Sequence, residues 1–446
     1  MRIIGNRGNT ARKVQAVASG ALASGDTVVV NADGTVSVVA VSDQAVGSPT
    51  VFETAVVSGI TATFDTNSNK VVIAYIDEGN SNYGTAVVGT VSGSTISFGS
   101  PAVFESATVG ATVSATFDSS NNKVVIVYRD VSNSNYGTAV VGTVSGTSIS
   151  FGTPVVFESA TSYLTYATFD SLNNKVVVSY RDNGNSNYGT AIVGTVSGTS
   201  ISFGSAVVFN GAVSSYIYPT FDSNSGKVVI AYDDGGNSNY GTAIVGTVSG
   251  TSISFGSEVV FDTNGAAFIS AVFDSVNNKV VIAYGAPNNS NYGTAIVGTV
   301  SGTSISFGSP VVFETTHVRD ISAAFDSNAG KVVISYNDED NSYYGTVIAG
   351  TVSGTGISFD TALVFEAAGT YFTATTFDSN SNKVVISYLD GGNSSYGTSV
   401  VFSATSTNLT SENYIGIASN GYASGQAATI NAKGFIDDNQ SSLTAG

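Results

Sequence analysis

The sequence predicts an all-β fold, a seven-bladed β-propeller of four-stranded blades, and three observations predict it. The first is a repeat. The pair Phe-Asp recurs at Phe64, Phe117, Phe169, Phe221, Phe273, Phe325 and Phe377, with spacings of 53, 52, 52, 52, 52 and 52. The second is the set of turn signals that cuts each repeat into four short strands. The third is a circular offset. Segment 47–53 reads as a fourth strand yet precedes the first Phe-Asp, and the seventh unit stops on a third strand at 396–402. The early strand therefore completes the last blade and closes the ring.

The third repeat shows the four elements. Residues 166–169 form the first strand and end on Phe-Asp. Residues 175–180, Lys-Val-Val-Val-Ser-Tyr, form the second, rich in the β-branched side chains that suit a pleated surface. Residues 189–196 form the third. Residues 201–209 form the fourth, with a bulge expected near Gly204. Between them, 170–174, 182–187 and 197–200 are made of Asp, Asn, Ser and Gly, which enter tight turns at little cost. No stretch sustains a 3.6-residue period. An open β-solenoid is the competing arrangement; its rungs are shorter, and it gains nothing from the one-strand offset.

Closure assigns 46–403 to the propeller and leaves 1–45 and 404–446 as tails. Residues 26–39 read as a hairpin turning at Asn31-Ala-Asp-Gly34, and 414–418 and 428–432 read as further strands. The two tails are expected to pair into one small β module.

Composition narrows the function classes. The chain has 446 residues, 42% of them hydrophobic, with 24 Phe and 22 Tyr, enough for a packed core. There is no Cys, which removes disulfides and thiolate metal sites. The net charge of −17 argues against nucleic acid, whose binding relies on Lys and Arg neutralising phosphates. Seven of the nine Lys fall on one repeat position, Lys70, Lys123, Lys175, Lys227, Lys279, Lys331 and Lys383, so no basic stripe forms. No segment has the length and apolarity of a membrane span, and 1–25 carries no signal-peptide apolar run.

The tails carry a resemblance. Residues 19–36, Ser-Gly-Ala-Leu-Ala-Ser-Gly-Asp-Thr-Val-Val-Val-Asn-Ala-Asp-Gly-Thr-Val, resemble segments of tailed-bacteriophage virion proteins, chiefly fibre and head-surface proteins. So do Asn413-Tyr-Ile-Gly-Ile-Ala, Gln426-Ala-Ala-Thr-Ile and Gln440-Ser-Ser-Leu-Thr-Ala-Gly446. The resemblance covers about a fifth of the chain. It implies a virion surface protein, of fibre, receptor-binding or head-decoration type, tethered to other virion proteins through 1–45 and 404–446. The repeats resemble propeller repeats of phage and bacterial surface proteins. They lack the Trp-Asp signature of common propellers and the Ser-x-Asp-x-Gly-x-Thr-Trp box of sialidases, since there is no Trp.

Catalytic chemistry finds no support in the motifs. The sole His, His317, has no nucleophile-elbow sequence beside it, and no carboxylate pair is singled out by spacing. Phe of the Phe-Asp pair is read as blade packing and Asp as a turn cap. The repeat Lys is read as the Asp's ion-pair partner or as protection of an exposed edge. The loop aspartates Asp77, Asp130, Asp182, Asp234, Asp338 and Asp390 could supply hard ligands to Ca²⁺, but their loops lack the length and closing Glu of an EF-hand. They read first as turn chemistry, and no cofactor is expected.

The segments that break the repeat carry the binding expectation. They lie between Val-Val-Phe-Glu and Phe-Asp, on the face of the Asp/Asn loops, and hold Tyr163, Tyr166, Tyr216, Tyr218, Phe268, His317, Arg319, Tyr371 and Phe372. Aromatic side chains on a rigid scaffold suit sugar or protein contact. The expected function is non-enzymatic: a virion-surface propeller presenting this face to a host-surface glycan. A carbohydrate-active enzyme and a bacterial surface adhesin are the competing classes, and homo-oligomerisation is left open.

Overall fold

The computed structural model describes residues 2–4, 13–407 and 414–432. Asn413 and 440–446, part of the tail resemblance, lie outside the described residues. The chain divides into two compact units, 45–404 and 1–44 with 405–446.

The larger unit is the predicted seven-bladed propeller. In the third blade, Lys175–Asp182 and Tyr188–Ser197 form the antiparallel middle pair, with Tyr180 opposite Thr190. The outer position is filled in two pieces. Ser200–Phe203 pairs with one half of Tyr188–Ser197, and the start of Val207–Asp222 pairs with the other. Ile192 and Val193 there face three residues, 204–206, so the bulge begins at Gly204. Gly204 is required at that point: a Cβ would lie 1.8 Å from the Thr251 carbonyl oxygen of the next blade's turn.

The sequence reading makes the outer strand of one blade and the inner strand of the next separate elements; in six of the seven connections they are one continuous strand. Val207–Asp222 is one strand whose far half, 214–222, becomes the innermost strand of the fourth blade. A strand that runs from rim to axis must bend. It does so at a register skip, as between Ser215 and Tyr218, and, on entering every blade but the second, at one left-handed residue. Those residues are Gly59, Leu164, Tyr216, Phe268, Asp320 and Phe372, with φ between 47° and 54°. Only the strand entering the fifth blade is broken, into Val259–Asp262 and Ala267–Asp274.

Ring closure follows the predicted offset. Tyr396–Ser403 pairs with the N-terminal strands, Phe402 opposite Val46 and Ser399 opposite Thr50. A size exchange marks this joint. Six blades place Gly opposite Phe here, as Gly194 does with Phe203, whereas the closing blade places Phe402 opposite Val46. Phe402 is fully buried, so the large ring has moved to the other strand.

Adjacent blades are joined by aromatic clusters. Phe157, from the outer strand of the second blade, packs against Tyr180 and Phe203 of the third at 5.4 and 5.5 Å. The buried Tyr180 hydroxyl donates to Glu158 Oε2 at 2.9 Å. Tyr75, Tyr128, Tyr284, Tyr336 and Tyr388 donate in the same way to Glu53, Glu105, Asp262, Glu314 and Glu366. Burial, and then the nearby carboxylate, push the Tyr180 pKa up, so the hydroxyl stays a donor. Blade four departs from the pattern. Asn210 stands at the Glu position and donates to Asp234 at 2.9 Å, while Glu258 accepts from Tyr232 instead.

Turn expectations are met in part. Asp170 Oδ1 accepts the amides of Leu172 and Asn173 at 3.0 and 2.9 Å, which is turn capping. The repeat Lys does not pair with that Asp. Lys227 and Lys279 reach Thr247 and Thr299 on the facing strand, and Lys331 pairs with Asp360 at 2.7 Å. Direct cross-strand opposition puts the Thr hydroxyl nearer than the turn.

The smaller unit is a six-stranded sheet in the order Arg2–Ile4, Lys13–Val17, Ala427–Ala432, Tyr414–Ala418, Thr27–Val30, Val36–Val38. The two C-terminal strands sit between N-terminal ones, so both tails build one module. Val14, Leu22, Val28, Val36, Ala428 and Ile430 form its core. The hairpin turns where the sequence places it, with Asp33 accepting the Thr35 amide at 2.9 Å.

Candidate functional site

The bent strands converge on the propeller axis, and their bends enclose a cavity of about 290 Å³ lined by all seven blades. Its wall is lopsided. The first two blades contribute Gly59, Ile60, Thr61 and Ala111, Thr112, Val113; later blades contribute Tyr166, Tyr216, Tyr218, Phe268, Asp320 and Phe372. Tyr166 and Tyr218 pair across neighbouring blades at 5.1 Å, and Tyr216 and Phe268 at 5.2 Å. Burial pushes both Tyr166 and Tyr218 up, so these phenols are neutral donors. Of the nine residues the sequence singled out, Tyr166, Tyr216, Tyr218, Phe268 and Phe372 are brought together in this wall.

The other four lie beside it. The bend of each long strand hydrogen-bonds to the following Asp/Asn loop: Gly235 N to Val213 O at 2.8 Å, Glu339 N to His317 O at 3.0 Å. This places the loops and the bends at one end of the propeller. Glu339 binds both His317, through Nδ1 at 2.5 Å, and Arg319 through Nε. The Arg319 guanidinium also approaches the Phe268 ring at 6.0 Å. The Tyr163 ring in blade three is approached by both Arg129 and Arg181.

Blades six and seven gather several departures from the repeat. Tyr343 occupies the turn position that holds Asn82, Asn135, Asn187, Asn239 and Asn291 in the first five blades. It keeps their left-handed backbone, φ 61°, which a bulky residue adopts at a cost. The Tyr343 ring faces Tyr371 at 6.1 Å, and Thr370 N donates to the Tyr343 carbonyl at 2.9 Å. Tyr343, Tyr371 and Phe372 are 42%, 38% and 39% exposed, unlike the rings between blades. Asp320 Oδ2 accepts the Phe372 amide at 3.0 Å. Burial pushes the Asp320 carboxyl up, and that amide partly opposes the shift. An exposed aromatic surface thus adjoins a carboxylate, with the Glu339 ion pairs on the same blade.

Sequence reasoning missed Tyr343 and Glu339, both in the Asp/Asn loop. The signal was present: the sixth loop reads Asp-Glu-Asp-Asn-Ser-Tyr where the first, third and fourth read Asp-x-Gly-Asn-Ser-Asn. The loop aspartates spend their oxygens on turns. Asp77, Asp182 and Asp390 each accept an amide three residues on, at 3.1 Å. Among the described residues no group of three or more His, Cys, Asp or Glu is arranged to hold a metal ion. Another buried carboxylate, Asp233, lies beside Asp234; burial first and that neighbour second push it up to about 7.

No protein-family model matches the sequence, and no curated protein does. Solved structures are similar in fold. BP39L lectin from Burkholderia pseudomallei aligns with a TM-score of 0.61 at 11% identity, over 80% of this chain and 99% of that one. A chain of the mitotic checkpoint complex aligns at 0.51 and 9% identity, over 81% and 95%. SapL1 lectin in complex with alpha methyl fucoside aligns at 0.42 and 13% identity, over 69% and 96%. At these identities the likeness concerns the propeller fold.

Proposed function

We propose that this protein is a non-enzymatic glycan-binding propeller of a tailed-phage virion surface, held to other virion proteins through its terminal module. One observation carries the binding half: Tyr343, Tyr371 and Phe372 are exposed together beside Asp320, two of them in left-handed backbone. A sugar ring stacks its C–H face on aromatic rings and hydrogen-bonds its hydroxyls to carboxylates. The lectin character of BP39L, a propeller of similar fold, supports this reading. The resemblance of 19–36 and the Gln426-Ala-Ala-Thr-Ile segment to virion proteins supports the location.

The test has two arms. Glycan-array binding by the full chain should be seen and should fall at least tenfold in a Tyr371→Ala, Phe372→Ser variant of unchanged melting temperature. No saccharide binding, or binding indifferent to the double variant, overturns the glycan reading. Separately, antibody labelling of intact particles should decorate their surface; purified particles free of this chain overturn the virion reading.

A further inference from the structure

We infer a second subsite, for the carboxylate of an acidic saccharide, at Arg129 and Arg181 on blades two and three. The inference rests on the glycan reading and names the sugar class.

The two guanidinium groups share one ring. Arg129 lies 4.3 Å and Arg181 5.1 Å from the centre of Tyr163. Cation–π attraction accounts for either contact alone. It does not account for bringing two like charges to the same ring. In a chain with 32 acidic and 15 basic residues, an acidic partner would be easy to supply. None is supplied. The three ion pairs among the described residues involve His317, Arg319 and Lys331. Arg181 Nε is moreover buried with no hydrogen-bond acceptor. A buried guanidinium donor without an acceptor is costly. A bound anion supplies the counter-charge that neither guanidinium finds within the protein.

The backbone makes room for this pair. The single extra residue of the repeat array lies in the stretch between Phe104 and Phe117. There the register skips from Val109 to Val113, and Arg129 lies over Gly110. A Cβ on Gly110 would fall 2.2 Å from Arg129 Nε. The insertion and the glycine therefore serve the seating of Arg129. Arg181 lies directly across the strand pair from Tyr163, and the next residue, Leu164, lines the axial cavity. Arg129, Tyr163 and Arg181 are not part of the cavity lining and lie at the varied end of the propeller.

The guanidinium fork fits a carboxylate through two parallel hydrogen bonds, which favours a uronic-type sugar acid over a neutral sugar. The probes are glucuronate, glucose and inorganic sulfate, titrated by NMR and calorimetry into the full chain and into R129Q, R181Q and R181K. Glucuronate should bind at least tenfold more tightly than glucose, and R129Q and R181Q should each abolish that preference. R181K should restore part of it, since charge without the fork still attracts. Equal binding of glucuronate and glucose, unchanged glucuronate binding in R181Q, or binding of sulfate without glucuronate each overturns the proposal. The Tyr371→Ala, Phe372→Ser variant separates the two readings. If it still binds glucuronate while no neutral oligosaccharide binds the parent chain, the acidic subsite stands and the aromatic site falls.

Discussion

The two ends of the propeller are made from the same repeat, yet only one of them varies. At one end the Ser-Gly-Thr turns are near copies, with Gly198, Gly250 and Gly302 at φ of 61° to 62°. Their neighbours leave no space: Gly204 meets Thr251 of the next blade. At the other end the strands bend toward the axis, and the bends carry side chains as unlike as Leu164, Tyr216, Asp320 and Phe372. The difference teaches that packing between blades holds one end to a single solution. The bends face a cavity, so their side chains are free to specialise.

The largest expected effect comes from breaking the invariant half. Tyr180→Ala should destabilise the propeller by about 3–5 kcal/mol, because it empties an inter-blade cluster and strands Glu158. Phe402→Ala should cost a similar about 3–5 kcal/mol and should loosen the ring joint first. Hydrogen exchange would then show 45–56 opening before any other blade.

Next is Asp233, whose pKa is pushed up to about 7 from 3.8. Below the unfolded value both states bind the proton, so there is no penalty. Stability is lost as pH rises between these two values, while the unfolded state ionises and the folded state does not. Asp233→Asn should therefore change little at pH 4 and should stabilise by on the order of 1–3 kcal/mol at pH 8. Chemical denaturation at the two pH values checks it; equal effects at both would refute the assignment.

The smallest effects sharpen the comparison. Tyr343→Asn restores the residue of the first five blades at a left-handed position and should stabilise by about 1 kcal/mol while weakening glycan binding. Ala286→Asp restores the missing loop cap and should add about 0.5–1 kcal/mol without touching binding. Differential scanning calorimetry with parallel glycan titration measures both.

The sequence was most legible where chemistry repeats. Phe-Asp, the β-branched run and the turn residues are local signals, and Asp170 caps its turn as that pattern implies. The strand offset reported ring closure because 47–53 has no partner other than the last blade. The size exchange at Val46 and Phe402 was harder to see, since Phe402 looks like an ordinary strand residue until its register partner is known. The bends were not assigned to strands because periodicity is blind to a strand that changes blade halfway. Lys227 was misassigned because its facing Thr247 is distant in sequence and near in space.

The amino-acid sequence by itself determined seven blades, four strands in each, closure by an N-terminal strand and a module built from both tails. These follow from short-range turn chemistry and alternation. The tertiary structure alone decided which departures meet. Tyr343 joins Tyr371 from another blade, and Arg129 joins Arg181 across Tyr163. Residues half a repeat to a full repeat apart become neighbours only when bent strands converge on an axis, and that convergence is a property of the closed ring.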